Sequence, residues 1–556
     1  MINTMTIPDK LDMDKIRFFA AAAAIALTSC AGTAPQQPAG NEDAVQPVAA
    51  QTEAAIAAEA ETTAALTAPY TLEDQVMPVI NIVTASGSND FAAKPVNGYV
   101  SSQIATWTPD YVMPPEPYYE DCTVTISDND GVLLCADAQV KVRGNWTTSY
   151  DKKPLRIKFK EKQSVGISDG DKDKNWLLLS EYKDMSLLRN KAALNISEGI
   201  LATDGYYSAD CELVEVLING KYWGVYLLTE QQQTGKDRVA VTEPEKDYTG
   251  TDIGYFLEMD GYFFLEDPLQ QFHVSYNYNA PLIPYDGNGG SGKTIACLSD
   301  DNVYRKDIGF TIKNDIYSQE QHDFIADYVE NVYLIMYHAA YDHEAYIFTD
   351  DYSDIVKADI SPEEAVRAVV DVDSLADMYI ISEVTCDADL YWSSFFMSAD
   401  FGEGGNRKLT FCAPWDFDSG LGNKDRCIDG KGFFAANSIP EVNGNEFENE
   451  YEAVNPWLAV LMYEDWYTDI IREKWTRAYD SGIFDSTLEM IESDISAYRK
   501  AFDRNFERWD YEANKWVVIG ELSEPAAQCN SQQESAEWLH KWLASRIEFL
   551  NEQWHE

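Results

Sequence analysis

The sequence predicts a mixed α+β chain with a β-rich half first and a helix-rich half second. Two observations carry that expectation. Between Met77 and Phe159, short runs with apolar residues at alternate positions follow one another, the period of half-buried strands. From about Trp457 onward, apolar residues return at helical spacing, as in WLHKWLASRIEFL.

The elements follow in order. PVINIVT, CTVTIS, VLLC, AQVKVRG and PLRIKF each offer one apolar face and read as strands. Cys122 and Cys135 flank TVTISDNDGVLL, whose DNDG turn predicts a hairpin that sets the two cysteines opposite each other, bonded as a disulfide. In DMSLLRNKAALNISEGI, Leu187, Leu188, Ala192 and Ile196 share a helical face. LVEVLI and YWGVYLLTE are joined by Asn219-Gly220, a pair that accepts positive φ and so closes a two-residue hairpin. GYFLEMDGYFFLE and VYRKDIGFTIK read as strands. Ser318 and Gln321 form a capping box that opens a helix expected to run to about Tyr346. Asp373 is expected to cap the next helix, SLADMYIISEVT. WSSFFM and KLTFCAPWDFD are strands joined by a glycine-bearing turn. No internal repeat is present.

Charge narrows the classes of function. The chain of 556 residues carries 42 Lys and Arg against 94 Asp and Glu, a net charge of −52. Such a field repels nucleic acid and anionic membrane surfaces. A hydrophobic content of 45% with 13% aromatics excludes a wholly disordered acidic chain. At the N-terminus, Lys15 and Arg17 precede FFAAAAAIAL, an apolar run too short to span a bilayer. Leu27-Thr28-Ser29-Cys30 resembles a bacterial lipobox, in which Cys30 is lipidated and begins the mature protein. The expectation is a signal peptide over 1–30, export, and attachment to a membrane through that lipid alone, on the periplasmic side or the cell surface. Residues 31–69 hold no Lys, Arg or aromatic residue, so 31–70 reads as a tether. Eight further cysteines include no C-x-x-C, which disfavours zinc ribbons, and export permits disulfides.

Two motifs match only in letters. GNGGSGKT, residues 287–294, fits the phosphate-loop pattern, which needs a buried strand before it and a helix after it. Its lead-in carries Pro281 and Pro284, and its lead-out IACLSDDNVYRK has no helical period, so Lys293 reads as a chance lysine. DGDKDKN (169–175) lacks the glycine and glutamate of a calcium loop. His338 and His343 are read as structural.

The acidic turns are more specific. A helix delivers a loop with Asp387 and Asp389, and one hairpin later comes WDFD, with Asp416 and Asp418 ahead of Gly420 and Gly422. An Asp-x-Asp between an apolar strand and glycines suits a divalent cation. Protein kinases share this order: a lysine on an early strand, an aspartate after a helix, and a metal-binding aspartate on a later turn.

The stretches VKVRGNWTTSYDKKPLRIKF (140–159), KNWLLLSEYKDMSLLRNKAAL (174–194), VEVLINGKYWGVYLLTEQQQ (214–233), IGYFLEMDGY (253–262) and APWDFDSGLGN (413–423) resemble the CotH (spore-coat protein H) family of kinase-like proteins. With 371–398 they cover most of 75–430. The resemblance implies a two-lobed, protein-kinase-like fold. It also implies an atypical kinase that moves the γ-phosphate of ATP, with Mg²⁺ or Mn²⁺, to Ser or Thr of an envelope or secreted protein. Asp389 would be the catalytic base, Asp416 with Asp418 the metal ligands, and Lys158 the nucleotide-binding lysine. Departures stand beside these: Asp387 replaces the asparagine of the N-x-D loop, Ser394 stands where a kinase has a second metal-binding asparagine, DFGEGGN is inserted in the hairpin, and no G-x-G-x-x-G occurs. The alternative is a surface module that keeps the fold for binding or adhesion without catalysis. A glycosidase is disfavoured, since no carboxylate pair stands out. The expected division is an N-terminal β region at 71–135, a kinase-like core at 136–430, and helices at 431–556 belonging to the same unit.

Overall fold

The computed structural model describes residues 72–556 apart from 73, 108–111, 113, 168–170, 288–293, 297–307, 392, 425–426, 438, 442–450, 512–514 and 516–517. The signal region with Cys30, the tether 31–70 and Lys293 lie outside the described residues. The fold is mixed α+β and divides into two compact units.

The first unit comprises the chain up to Tyr182, with Leu213–Leu228 and Arg504–Asp510. Its strands are β1 (Val79–Thr84), β2 (Glu120–Ser127), β3 (Val132–Val142), β4 (Leu155–Gln163), β5 (Asp173–Leu179), β6 (Cys211–Ile218) and β7 (Lys221–Glu230). They close into a barrel in the order β1-β2-β3-β4-β5-β7-β6, with β6 returning parallel to β1. Alternation decides what fills it. On β4, Leu155, Ile157 and Phe159 point into the core, whereas Lys158 and Lys160 face solvent. Ile80, Val124, Val140, Trp176, Val216 and Tyr226 complete that core. At the β6–β7 turn Asn219 and Gly220 both have positive φ (52° and 69°), as the hairpin reading requires. Arg504 locks the late segment onto the barrel, donating from Nε and Nη2 to the Glu215 carboxylate at 3.0 and 2.8 Å. Asn505 accepts from the Val225 amide at 3.0 Å.

The expected boundary at 135 falls inside β3, since the closed barrel takes in β1–β3 together with β4–β7. The expected disulfide is corrected. Cys122 and Cys135 are free thiols. The register pairs Cys122 with Ala138 and Cys135 with Thr125, an offset of three residues. An odd offset sends the two side chains to opposite faces, with Cys122 buried in the barrel core and Cys135 outside it.

In the second unit the strands are β8 (Gly254–Asp260), β9 (Gln271–Phe272), β10 (Pro281–Leu282), β11 (Ile295–Ala296), β12 (Gly309–Ile312), β13 (Tyr346–Phe348), β14 (Ile355–Lys357), β15 (Phe395–Asp400), β16 (Thr410–Cys412), β17 (Ile439–Glu441) and β18 (Tyr451–Ala453). Five of them form an antiparallel sheet in the order β16-β15-β8-β12-β9. Following barrel helix α1 (Gly98–Trp107), the main helices here are α2 (Arg189–Leu201), α3 (Gln319–Tyr337), α4 (Pro362–Val369), α5 (Val372–Thr385), α6 (Asp465–Asp480) and α7 (Ile483–Ala497). Helix α8 (Arg499–Trp509) runs into the first unit's late segment, and α9 (Gln532–Trp554) is the last. The capping box of α3 is present, with Ser318 accepting from the Gln321 amide and the Gln321 side chain accepting from the Ser318 amide. The helix stops at Tyr337, short of the expected Tyr346, because a wider turn over His338–Asp342 ends at His343 with φ 55°. Asp371 rather than Asp373 caps α5, accepting from the Ser374 amide. Every residue of α5 except Asp373 is buried, which fixes the helix that leads to Asp387 and Asp389. No helix among the described residues is long and apolar enough to cross a membrane.

The ends of the phosphate-loop match join short strands: β10 pairs antiparallel with β11, with Leu282 opposite Ile295. A strand follows where a phosphate loop needs a helix.

Candidate active site

Helix α5 ends at Cys386, whose φ of 46° turns the chain sharply. The turn is tightened by Asp387, whose Oδ1 accepts from the Asp389 amide at 3.2 Å. After β16, Asp416 also sits in the left-handed region (φ 70°, ψ 53°) and opens a single tight turn, Phe417–Ser419. That turn is held by Asn190 of α2, whose Oδ1 accepts from the Phe417 amide at 2.8 Å. Leu421 donates its amide to the Thr385 carbonyl at 2.6 Å. Gly420 makes the approach of the two loops possible: a Cβ there would lie 2.9 Å from the Thr385 carbonyl oxygen and 3.3 Å from the Asp387 Cα.

The outcome is a cluster. Carboxylate oxygens of Asp389, Asp416 and Asp418 all lie within 4.8 Å of one another. A lysine that the sequence reading passed over joins them. Lys183 Nζ is 2.9 Å from Asp418 Oδ1 and donates to Ser419 Oγ at 2.6 Å, with both charged side chains nearly buried. Asn423 donates to the Asp418 carbonyl at 2.7 Å and to the Lys183 carbonyl at 3.4 Å, so the same turn carries its own brace.

Electrostatics follows from burial with too few cations. Burial pushes Asp387 well above the usual carboxylate range, and the neighbouring Asp389, Asp416 and Asp418 charges add to it. Asp418 is raised by burial as well, with Lys183 opposing. Burial, then Asp389, Asp260 and Asp416, drive the Tyr262 hydroxyl up to about 12, so it stays a neutral donor near the cluster. A converging set of hard oxygen donors with a deficit of positive charge suits Mg²⁺ or Mn²⁺.

A family model described as CotH kinase protein matches residues 140–550. The chain belongs to the CotH kinase family. No curated protein matches it. In this CotH kinase family chain the structure brings together Asp389, Asp416 and Asp418. It places Lys158 in the barrel unit, exposed on β4 between Gln139 and Asn175 of the neighbouring strands. Ser394, with φ 61°, donates its amide to Glu258 Oε1 at 3.2 Å. The inserted DFGEGGN is a turn organised by Asp400, which accepts from the Gly402 amide at 2.9 Å. Lys183, Asn190 and Asn423 were missed for a reason: they come from distant parts of the chain and carry no motif spacing. Only the KDMSLLRN context of Lys183 and Asn190 could have drawn attention to them.

Proposed function

We propose that this CotH kinase family chain is an exported, lipid-anchored atypical protein kinase with a two-lobed, kinase-like fold. It transfers the γ-phosphate of ATP to Ser or Thr of an envelope or secreted protein. The observation that carries the reading is the Asp389–Asp416–Asp418 cluster braced by Lys183. Asp416 and Asp418 would hold Mg²⁺ or Mn²⁺, which when bound with ATP supplies charge neutralisation on the phosphates. Asp389 orients the acceptor hydroxyl and takes its proton on a carboxylate oxygen. Lys183 opposes the protonation of Asp418 that burial favours and holds its carboxylate in place. Lys158 is kept as the nucleotide-binding lysine of this reading.

Two substitutions separate these roles in the 72–556 chain. Asp416→Asn is expected to weaken Mg²⁺-dependent ATP binding, read by calorimetry, together with autophosphorylation from radiolabelled ATP. Asp389→Asn keeps binding and loses transfer by ~10²–10⁴-fold, the usual effect of removing a positioned base. If the unsubstituted chain binds no nucleotide with Mg²⁺ or Mn²⁺, the kinase reading falls and a non-catalytic surface module takes its place. The lipid anchor rests on the lipobox-like LTSC, and Cys30→Ser should release the full-length protein from the membrane fraction. Retention of that variant with the membrane would remove the anchor from the proposal.

A further inference from the structure

Cys386 and Cys427 frame the candidate site in sequence, since Asp387, Asp389, Asp416 and Asp418 all lie between them. They also meet in space. Both are free thiols, and their side chains are close enough to interact directly. One guanidinium organises both. Arg546 of α9, fully buried, donates from Nε and Nη2 to the Glu383 carbonyl at 2.9 and 2.8 Å, the same carbonyl that Cys386 Sγ approaches at 3.4 Å. Its Nη1 donates to the Gly432 carbonyl at 2.5 Å, which Cys427 Sγ approaches at 3.9 Å. The Trp542 indole, one turn earlier on α9, donates to the Cys427 carbonyl at 2.8 Å. Both cysteines hold positive φ, 46° and 42°, a conformation that costs free energy at a non-glycine residue.

We infer that Cys386 and Cys427 form a disulfide in the oxidised protein, stapling the two ends of the segment that bears the candidate site. The second unit holds this pair on fixed supports, whereas Cys122 and Cys135 are directed apart. Cys427 is the more exposed of the two thiols and attacks first. Its thiol is drawn below the usual range chiefly by the hydrogen bond with Cys386, while burial pushes Cys386 well above. The oxidant is a small-molecule or protein disulfide. The Cys427 thiolate attacks one of its sulfurs, forming a mixed disulfide and expelling one thiolate. Cys386 then gives up its proton and attacks the Cys427 sulfur, expelling the second thiolate. Two protein thiols lose two electrons to the oxidant disulfide, and the two protons end on the expelled thiolates.

The test uses the 72–556 chain, reduced and then equilibrated with glutathione disulfide, blocked by alkylation under denaturing conditions, and mapped without reduction. A peptide linking Cys386 to Cys427, lost on Cys427→Ser, is the expected result. A rise in Tm on oxidation, seen for the unsubstituted chain and absent from Cys427→Ser, supports the same bond. Recovery of both residues alkylated overturns the inference. So does Cys427 halted as a glutathione adduct with Cys386 alkylated. Neither readout involves phosphoryl transfer, so failure here is distinct from failure of the kinase reading.

Discussion

At the scale of single residues, Lys158 of the barrel unit and Lys183 beside the acidic cluster differ by burial. Lys158 alternates outward on β4, beside Ile157 and Phe159 in the core, and loses little water by folding. Lys183 is nearly buried against Asp418, where removing one partner of an ion pair leaves the other uncompensated. Breaking such a pair typically costs ~3–5 kcal/mol. Lys183→Met should therefore lower unfolding stability by a cost of that order in urea melts, and adding Asp418→Asn should restore much of it. Lys158→Met should stay within about 0.5 kcal/mol, as exposed substitutions do. Equal losses for the two lysine variants would refute the assignment of Lys183 as the buried brace. The sequence signalled Asp389, Asp416 and Asp418 because each stands beside a recognisable turn. Lys183 gave no such signal, since its partner lies far along the chain.

At the scale of elements, the barrel contains a buried cation with a pH signature. Lys152 is 1% exposed, donates to the Val225 carbonyl and lies over the Tyr226 ring. Burial lowers its ammonium from 10.5 to about 7, with Glu181 opposing. Between those values the unfolded chain holds a proton that the folded chain has released, so this group makes stability rise with pH. Its favourable contribution is complete above about 10.5 and is lost as pH falls through about 7. Lys152→Met removes the titration. The stability difference between the original chain and the variant should then slope upward from pH 7.5 to 9.5 in thermal melts. A flat difference would mean that Lys152 keeps its proton in the fold. The hairpins and capped helices here were legible from Asn219-Gly220 and Ser318–Gln321, whose chemistry is local. Where α3 stops was not legible, because a widened turn before His343 ends it.

At the scale of the whole molecule, the barrel unit is discontinuous: β6 and β7 return after α2, and Arg504–Asp510 returns from near the C-terminus. Glu215 on β6 is fully buried and is satisfied by Arg504. Trp509 donates to the Trp223 carbonyl on β7 at 2.8 Å. A chain ended before Arg504 leaves that carboxylate buried without its cation. Such a truncation should expose barrel sites to limited proteolysis that the 72–556 chain resists. A barrel equally resistant in the shortened chain would show that the late segment adds nothing to it.

The sequence by itself determined the mixed α+β class, the CotH kinase family membership matched over 140–550, and the two acidic turns whose Asp389, Asp416 and Asp418 cluster in the fold, because each is written in short-range pattern or in a contiguous motif. Tertiary structure alone decided the rest. Closure of the barrel set β1 beside β6, a strand far from it in sequence. Strand register set Cys122 and Cys135 on opposite faces despite a plausible turn between them. Burial of Lys183 against Asp418 and the meeting of Cys386 with Cys427 around Arg546 depend on segments brought together only when the core closes. Local periodicity specifies which face of an element is buried, and only packing specifies what that face meets.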